Sequence, residues 1–567
     1  MEFILSVDHG GLFNMENSNI FKKGIGIYHL PTLMLAIGYP VYWRELYFLN
    51  SGTGVTSSLA AILFGLAALT IYLGSRQSGF SLNYSLSHEK TPVGKMLILI
   101  VAGLAFGLLA VAFYASLYPP HLMQEYDVLN YHYTIPRQHL LLRSFATIPW
   151  SSADLFPLPI QFALAPFWFV TELPNKVPQF LFLVGLLAVA ANLVRKFTVQ
   201  PISILFIIAA ILGSHNVGIQ MGTGMLDLVI CYLFLAALDS FLEGEIWLAA
   251  IEFTFFFWSK SFIPVQMILI MMAMTVLAMV LKKLRFKSVK WDIGSYVQGQ
   301  WAARTKKFIY YFVLLSLFIG GPFAAKSLYQ AGTPLFPLGV GRAMVNPNID
   351  QDSVGWDSLL RSTKDHLGAR DAYGYGRSFE NFVKHFWLIA VPDKGVNNKF
   401  GYPVGLVYLL FIVPFLWEFT ASLRKKEFSV TPWFIVIYWL SWWFGSQQTR
   451  FLYIPLILMF IVIINMQKYS SKILLAMLAL AMGLNFLSVT RAHQKDFGFK
   501  REEVLRVEDR QVFIMSQKYL QQGRHDVVPT ENHEMAFAQF PVIVAPERLP
   551  YVLAINPSII ASQKGAK

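Results

Sequence analysis

Apolar runs near the length needed to cross a bilayer, about 20 residues, recur along most of this chain and leave little sequence for a water-soluble fold. They fall at roughly 27–48, 55–74, 96–118, 176–194, 201–220, 222–242, 246–260, 262–281, 308–324, 402–420, 432–446, 450–466 and 472–490. Several are short or broken by proline. The pattern predicts an all-α polytopic bundle of about thirteen transmembrane helices. Composition points the same way, with 55% of the 567 residues hydrophobic and 14% charged, and a mean hydropathy of +0.49. That is too apolar for a soluble globular protein of this length. The single cysteine, Cys231, lies inside an apolar run, which excludes an intramolecular disulfide and a cysteine-based metal centre.

A net charge of +13 would suggest nucleic acid as the partner of a soluble chain. Here the basic residues gather in short loops: Arg195–Lys196, "KKLRFKSVK" from Lys282, Arg304 with Lys306 and Lys307, "RKK" from Arg424, and Lys468 with Lys472. Those loops alternate along the predicted spans, so they mark one side of the membrane as cytoplasmic. The expected partners are membrane lipids and not nucleic acid. The opening "MEFILSVDHGGLFN" has neither the basic stretch nor the apolar stretch and cleavage site of a removable signal peptide. The orientation puts the segments 119–175, 325–401 and 491–567 on the external face. It divides the chain into an N-terminal extension with two spans (1–95), a transmembrane core (96–490) and a small soluble external tail (491–567). Two shorter apolar stretches, 158–170 and 380–392, are predicted to lie along the membrane surface with their aromatic sides in lipid.

An ionisable side chain at the edge of an apolar span costs free energy unless it is paired, reaches the headgroups or lines a hydrated cavity. On the predicted external side these are Glu125, Asp127, His132 and Arg137 after the third span, Asp227 opening the sixth, Lys260 between the seventh and eighth, Lys326 after the ninth, and Arg450 opening the twelfth. An acid beside Tyr131 and His132 can take a proton from an attacking hydroxyl or amine, which makes Asp127, with Glu125 close by, the candidate base. Fixed cations such as Lys260 and Arg450 can hold a phosphate and offset charge building on a leaving group. Arg450, able to bind with a two-pronged guanidinium, is the preferred direct contact. His132 and His139 with Glu125 form only a weak metal constellation. A divalent cation is compatible with the chemistry but not required by these residues.

The stretch "YPPHLMQEYDVLNYHYTIPRQHLL" resembles the segment after the first core span of GT-C type polytopic glycosyltransferases, the superfamily of protein O-mannosyltransferases and lipid A aminoarabinose transferases. "FPLPIQFALAPFWF", "GMLDLVICYLFLAAL", "WSKSF", "YQAGTPLFPL", "YGYGRSFENF" and "QTRFLYIPLILM" follow in the order of a bacterial branch, over roughly residues 96–490. The resemblance implies a GT-C-like core in a bacterial cytoplasmic membrane. It implies transfer of a sugar from a polyprenyl-phosphate or polyprenyl-diphosphate carrier to a glycan, lipid or protein acceptor at the external face. By position, Asp127 takes the catalytic aspartate role, and Asp227, Lys260 and Arg450 take the second acid, the lysine after the next hairpin and the arginine opening a late span. His132, Tyr131, Arg137 and Lys326 fall in the expected substrate-binding regions. Val128 stands where many relatives carry a second acid. Two other activities remain open at this point: transport of a lipid-linked saccharide, and oligosaccharide ligation or polymerisation.

Overall fold

The computed structural model describes residues 27–48, 91–120, 127–142, 152–169, 174–197, 202–288, 301–338, 373–391, 400–466 and 471–493, together with Glu89, Glu125, Ser144 and Phe145. The apolar run 55–74 and the predicted external tail beyond residue 493 lie outside them. In chain order the helices are α1 (Leu30–Phe48), α2 (Pro92–Ser116), a π-helix (Val128–His132), α3 (Thr134–Leu142), α4 (Pro159–Trp168), α5 (Val177–Phe197), α6 (Ile202–Gly213), α7 (His215–Gln220) and α8 (Asp227–Glu243). They continue with α9 (Ile246–Phe257), α10 (Phe262–Lys283), α11 (Trp301–Ile319), α12 (Gly321–Ala331), α13 (Phe379–Leu388), α14 (Leu406–Arg424), α15 (Val430–Phe444), α16 (Tyr453–Met466) and α17 (Ser471–Ala492). Beyond these, a two-residue parallel bridge joins Lys287–Ser288 to Glu427–Phe428.

Among the described residues six helical segments are long and apolar enough to cross a membrane: α2, Val177–Lys196 within α5, α10, α14, Thr449–Met466 and Lys472–Ala492. A seventh is α11 with α12, if the 54° bend between them belongs to one broken span. α1, at 19 residues, is long enough but is not among the six, and the other predicted runs within the described residues are helical but shorter. The run 201–220 divides into α6 and α7 at Ser214, and 246–260 ends at Phe257. α5 and α16 run through the middle of the bundle, whereas α2 and α10 expose most of their length. Ile268, Leu269 and Met272 on α10 are exposed, as a lipid-facing helix permits, because hydrocarbon is their solvent.

The two expected surface helices behave differently. α13 exposes Phe379, Val383 and Trp387, spaced four residues apart and therefore on one face. His385 is buried and accepts a hydrogen bond from Trp439 Nε1 at 2.8 Å. α4 corrects the expectation for 158–170: all ten of its residues are buried. It lies beneath α1, which packs along it, and its Phe162 meets the Tyr42 and Trp43 rings of α1 and Phe323 of α12. A helix apolar on every side does not reveal whether its neighbours will be lipid or protein.

The α1–α4 contact depends on Gly38. A Cβ there would strike the Ala163 carbonyl and come within 2.7 Å of the Phe167 ring. Gly38→Val is expected to lower stability by about 1–3 kcal/mol, the usual cost of overpacking, seen as a lower thermal midpoint of the full-length protein in detergent.

α1 is also tied to the core by buried polar groups. His29 Nδ1 pairs with Glu252 Oε1 at 2.6 Å, and Thr32 donates to the same oxygen at 2.8 Å. Ser240 donates to Glu252 Oε2 at 2.7 Å, and Lys196 pairs with Asp239 at 2.8 Å. These residues gather at the C-terminal end of α8, where Arg304 also donates to the Leu242 carbonyl at 2.9 Å. Asp227 opens the other end of the same 17-residue helix, about 25 Å away at 1.5 Å per residue. The helix thus separates Lys196 and Arg304 at one end from Asp227 at the other.

Candidate functional site

Asp127 stands immediately before the π-helix. The Val128 and Leu129 amides both donate to the Glu125 carbonyl, at 2.9 and 3.1 Å, and Tyr133 N–H reaches back five residues to Val128 O at 2.9 Å. Pro136 has no N–H to offer the His132 carbonyl, so an ordinary α-ladder cannot run through this stretch. The Thr134 hydroxyl instead donates to Leu129 O at 2.5 Å.

The loop before α8 brings Asp227 to this segment. Gly224 N–H donates to Glu125 Oε1 at 2.5 Å, and Glu125 Oε2 pairs with Lys176 at 3.3 Å. A Cβ on Gly224 would lie 2.7 Å from Val128 Cγ1, so only glycine permits the approach. Glu125 is wholly buried and acts as a staple between the Asp127 segment and the starts of α5 and α8.

Asp227 opens α8, where the helix dipole and free amides favour a negative charge. Its Oδ1 pairs with Lys260 Nζ at 2.5 Å, and its Oδ2 accepts from Gln220 Nε2 at 3.1 Å. Arg450 arrives from the 3₁₀ turn Thr449–Leu452, anchored by Thr449 N–H on the Phe400 carbonyl at 2.8 Å. Its Nη1 donates to Asp127 Oδ2 at 2.8 Å and lies 3.8 Å from Asp227 Oδ2. Lys260 and Arg450 both sit over the Phe451 ring, at 4.5 and 5.3 Å from its centre, an arrangement that orders the cations and shields one side of them.

Two acids and two cations from four parts of the chain therefore form one charge-balanced cluster. Asp127 has 27% of its side chain exposed and Arg450 18%, against 4% for Asp227. Lys260, 17% exposed, is as accessible as Arg450, so Asp127 and both cations can be reached and Asp227 is the inner support. A small, partly open cleft of about 20 Å³ adjoins the cluster; Asp227, Lys260, Phe262, Tyr438, Arg450 and Ile454 are among its lining residues, and Asp127 is not. Burial alone would raise the Asp127 carboxyl, but Arg450, with His132 and Lys260, holds it below the usual carboxylate range. It is an anion at neutral pH.

The other predicted residues are placed around this cluster or away from it. His132 is buried, and its Nδ1 lies 3.0 Å from Gln161 Nε2. Tyr131 packs edge-on to Phe156 with ring centres 6.1 Å apart, and it lies within the field of Asp127, Arg450 and Asp227. Arg137 sits over the Phe169 ring at 4.8 Å. Lys326 belongs to a second buried group, 2.7 Å from Asp154 Oδ2 and 3.2 Å from His139 Nε2, with His139 Nε2 also 2.6 Å from Asp154 Oδ1. No group of three or more His, Cys, Asp or Glu side chains among the described residues could hold a metal ion.

Sequence reading missed Gln220, Phe451 and Gln161. Only Gln161 carried a signal, as the one polar side chain in the helix "PIQFALAPFW". No known family's profile matches this chain, and no curated protein or solved structure is detectably similar to it.

Proposed function

We propose that this chain is a multi-pass membrane glycosyltransferase that moves a sugar from a polyprenyl-phosphate-linked donor to a glycan, lipid or protein acceptor. The site faces the exterior of a bacterial cytoplasmic membrane, on the side away from the basic loops. The observation that carries the reading is the cluster itself: Asp127, a partly exposed carboxylate, bound by an arginine that shares a second acid with a lysine, the arginine, the lysine and that second acid lining a small cleft.

In the reaction, the acceptor oxygen or nitrogen forms a bond to the anomeric carbon while the bond from that carbon to the phosphate oxygen breaks. The phosphate leaves with the electron pair, and the acceptor's proton passes to an Asp127 carboxylate oxygen. Lys260 and Arg450 offset the charge on the departing phosphate. A lipid phosphate is already a good leaving group, so orientation, a base and two cations supply what is needed. Because Arg450 grips Asp127 before substrate arrives, the incoming phosphate draws the arginine away and restores basicity to the carboxylate. Asp227 keeps Lys260 and Arg450 side by side throughout.

A depressed carboxyl pKa keeps the base ionised above that value and loses it only as pH falls through it. The kcat/KM profile is therefore expected to hold its activity down to below about pH 4. Arg450→Met removes the counter-charge 2.8 Å from Asp127, and the acid limb should rise by about one unit or more. The broader test compares the surface glycans and glycolipids of cells carrying and lacking the gene. Loss of one sugar, restored by the wild-type chain, supports the reading, and identical profiles under full expression oppose it.

A further inference from the structure

Gln161 is buried in a helix that is otherwise apolar, and its side-chain amide meets His132 rather than any group of its own helix. Gln161 Nε2 lies 3.0 Å from His132 Nδ1, while the buried Gln161 Oε1 has no partner among the described residues. In this amide orientation the N–H donates, and His132 Nδ1 accepts and carries no proton. A neutral imidazole then bears its proton on Nε2. That nitrogen has no protein partner among the described residues, although the side chain is 3% exposed. π-winding also matters here: five residues of α-helix would set Asp127 and His132 about 140° apart around the axis, whereas the wider i→i+5 winding of the Val128–His132 turn brings them closer to one face.

We infer that Gln161 is a positioning residue that fixes His132 as the neutral Nε2–H tautomer, so that His132 donates an uncharged hydrogen bond to the phosphate held by Lys260 and Arg450. The ligand half of this inference rests on the function proposed above; the tautomer half rests on the orientation of the Gln161 amide. The charged groups around His132 are Asp127, Lys260, Asp227 and Arg450, two of each sign, and burial pushes the ring down to about 3. His132 therefore stays neutral through the physiological range. A neutral donor strengthens the grip on phosphate without adding a third positive charge, which would bind the spent carrier too tightly to release.

The test is nitrogen NMR of the full-length protein carrying ¹⁵N-labelled histidine, with the His132 signals assigned by their loss in His132→Asn. The expected spectrum has unprotonated Nδ1 and protonated Nε2, unchanged from pH 5 to pH 8. In Gln161→Leu the Nδ1 signal moves and the tautomer preference relaxes, and undecaprenyl phosphate binds about 3- to 10-fold more weakly, as for one lost hydrogen bond. Adding undecaprenyl phosphate to the wild-type protein shifts Nε2 and leaves Nδ1 in place. A protonated Nδ1, a ring titrating near its ordinary value, or a Gln161→Leu spectrum identical to wild type overturns the role of Gln161; the wild-type spectrum decides even if the variant does not fold. Undecaprenyl phosphate that binds without moving Nε2 overturns the ligand contact. If it does not bind at all, the proposed function fails and takes the ligand contact with it, while the tautomer is still decided by the apo spectrum.

Discussion

Asp127→Asn is expected to cut sugar transfer by about 10²- to 10⁴-fold, the usual contribution of a positioned general base, while undecaprenyl phosphate binds as well as before or more tightly. The two halves of this result have one cause. Asparagine keeps the shape of the side chain but cannot accept the acceptor's proton, so the chemical step slows. It also releases Arg450 from a charged partner 2.8 Å away, and the freed guanidinium meets the carrier phosphate without first breaking an ion pair. A variant with lost transfer and weakened binding would mean that Asp127 holds the cluster together. Unchanged transfer would remove Asp127 as the base. Transfer is followed with a radiolabelled donor in proteoliposomes and binding with the same purified protein, so expression does not enter either number.

Asp154→Ala should destabilise the protein by about 3–5 kcal/mol, the cost of stripping one partner from a buried ion pair. Asp154 joins Lys326 at 2.7 Å and His139 at 2.6 Å, and all three are almost completely enclosed. Burial raises its carboxyl, but Lys326 and then His139 outweigh that and hold it at about 2. A depressed carboxyl contributes stability above its unfolded-state value, and that contribution is lost as pH falls from about 4 toward 2. The double replacement Asp154→Leu with Lys326→Met should recover much of the loss, because it leaves no uncompensated charge. Unfolding midpoints in detergent across the three variants give the answer. A change under about 1 kcal/mol for Asp154→Ala would mean that water reaches Lys326 and that the pair behaves as a surface contact.

The helical, membrane-embedded character of the chain was legible because long apolar runs have few other ways to satisfy their backbone. α2, α5, α10, α14 and α17 lie close to where hydropathy put them. α4 was not legible as a core helix, since nine apolar residues and one glutamine do not state that α1 will cover them. The ends of the spans drew attention to Asp127, Asp227, Lys260 and Arg450, because charges at such places need a reason. Their pairing could not be read: Arg450 and Asp127 are 323 residues apart, and only the folded bundle makes them neighbours. Glu125 and Lys326 carried the same signal yet are engaged by Lys176 and Asp154, since a buried charge looks alike in sequence whether it faces a substrate or a structural partner. Gln161 and Gln220 carry no charge, and the rule that flagged ionisable residues passed over them.

Equilibrium binding of undecaprenyl phosphate and of undecaprenol to the purified full-length protein in lipid nanodiscs tests the central claim most directly, because the two ligands differ only in the phosphate. Wild-type protein should bind the phosphate at least ten-fold more tightly than the alcohol, and Lys260→Met combined with Arg450→Met should erase that preference while leaving the weak binding of undecaprenol in place. Equal binding of phosphate and alcohol by the wild-type protein, or a phosphate preference that survives loss of both cations, would contradict it.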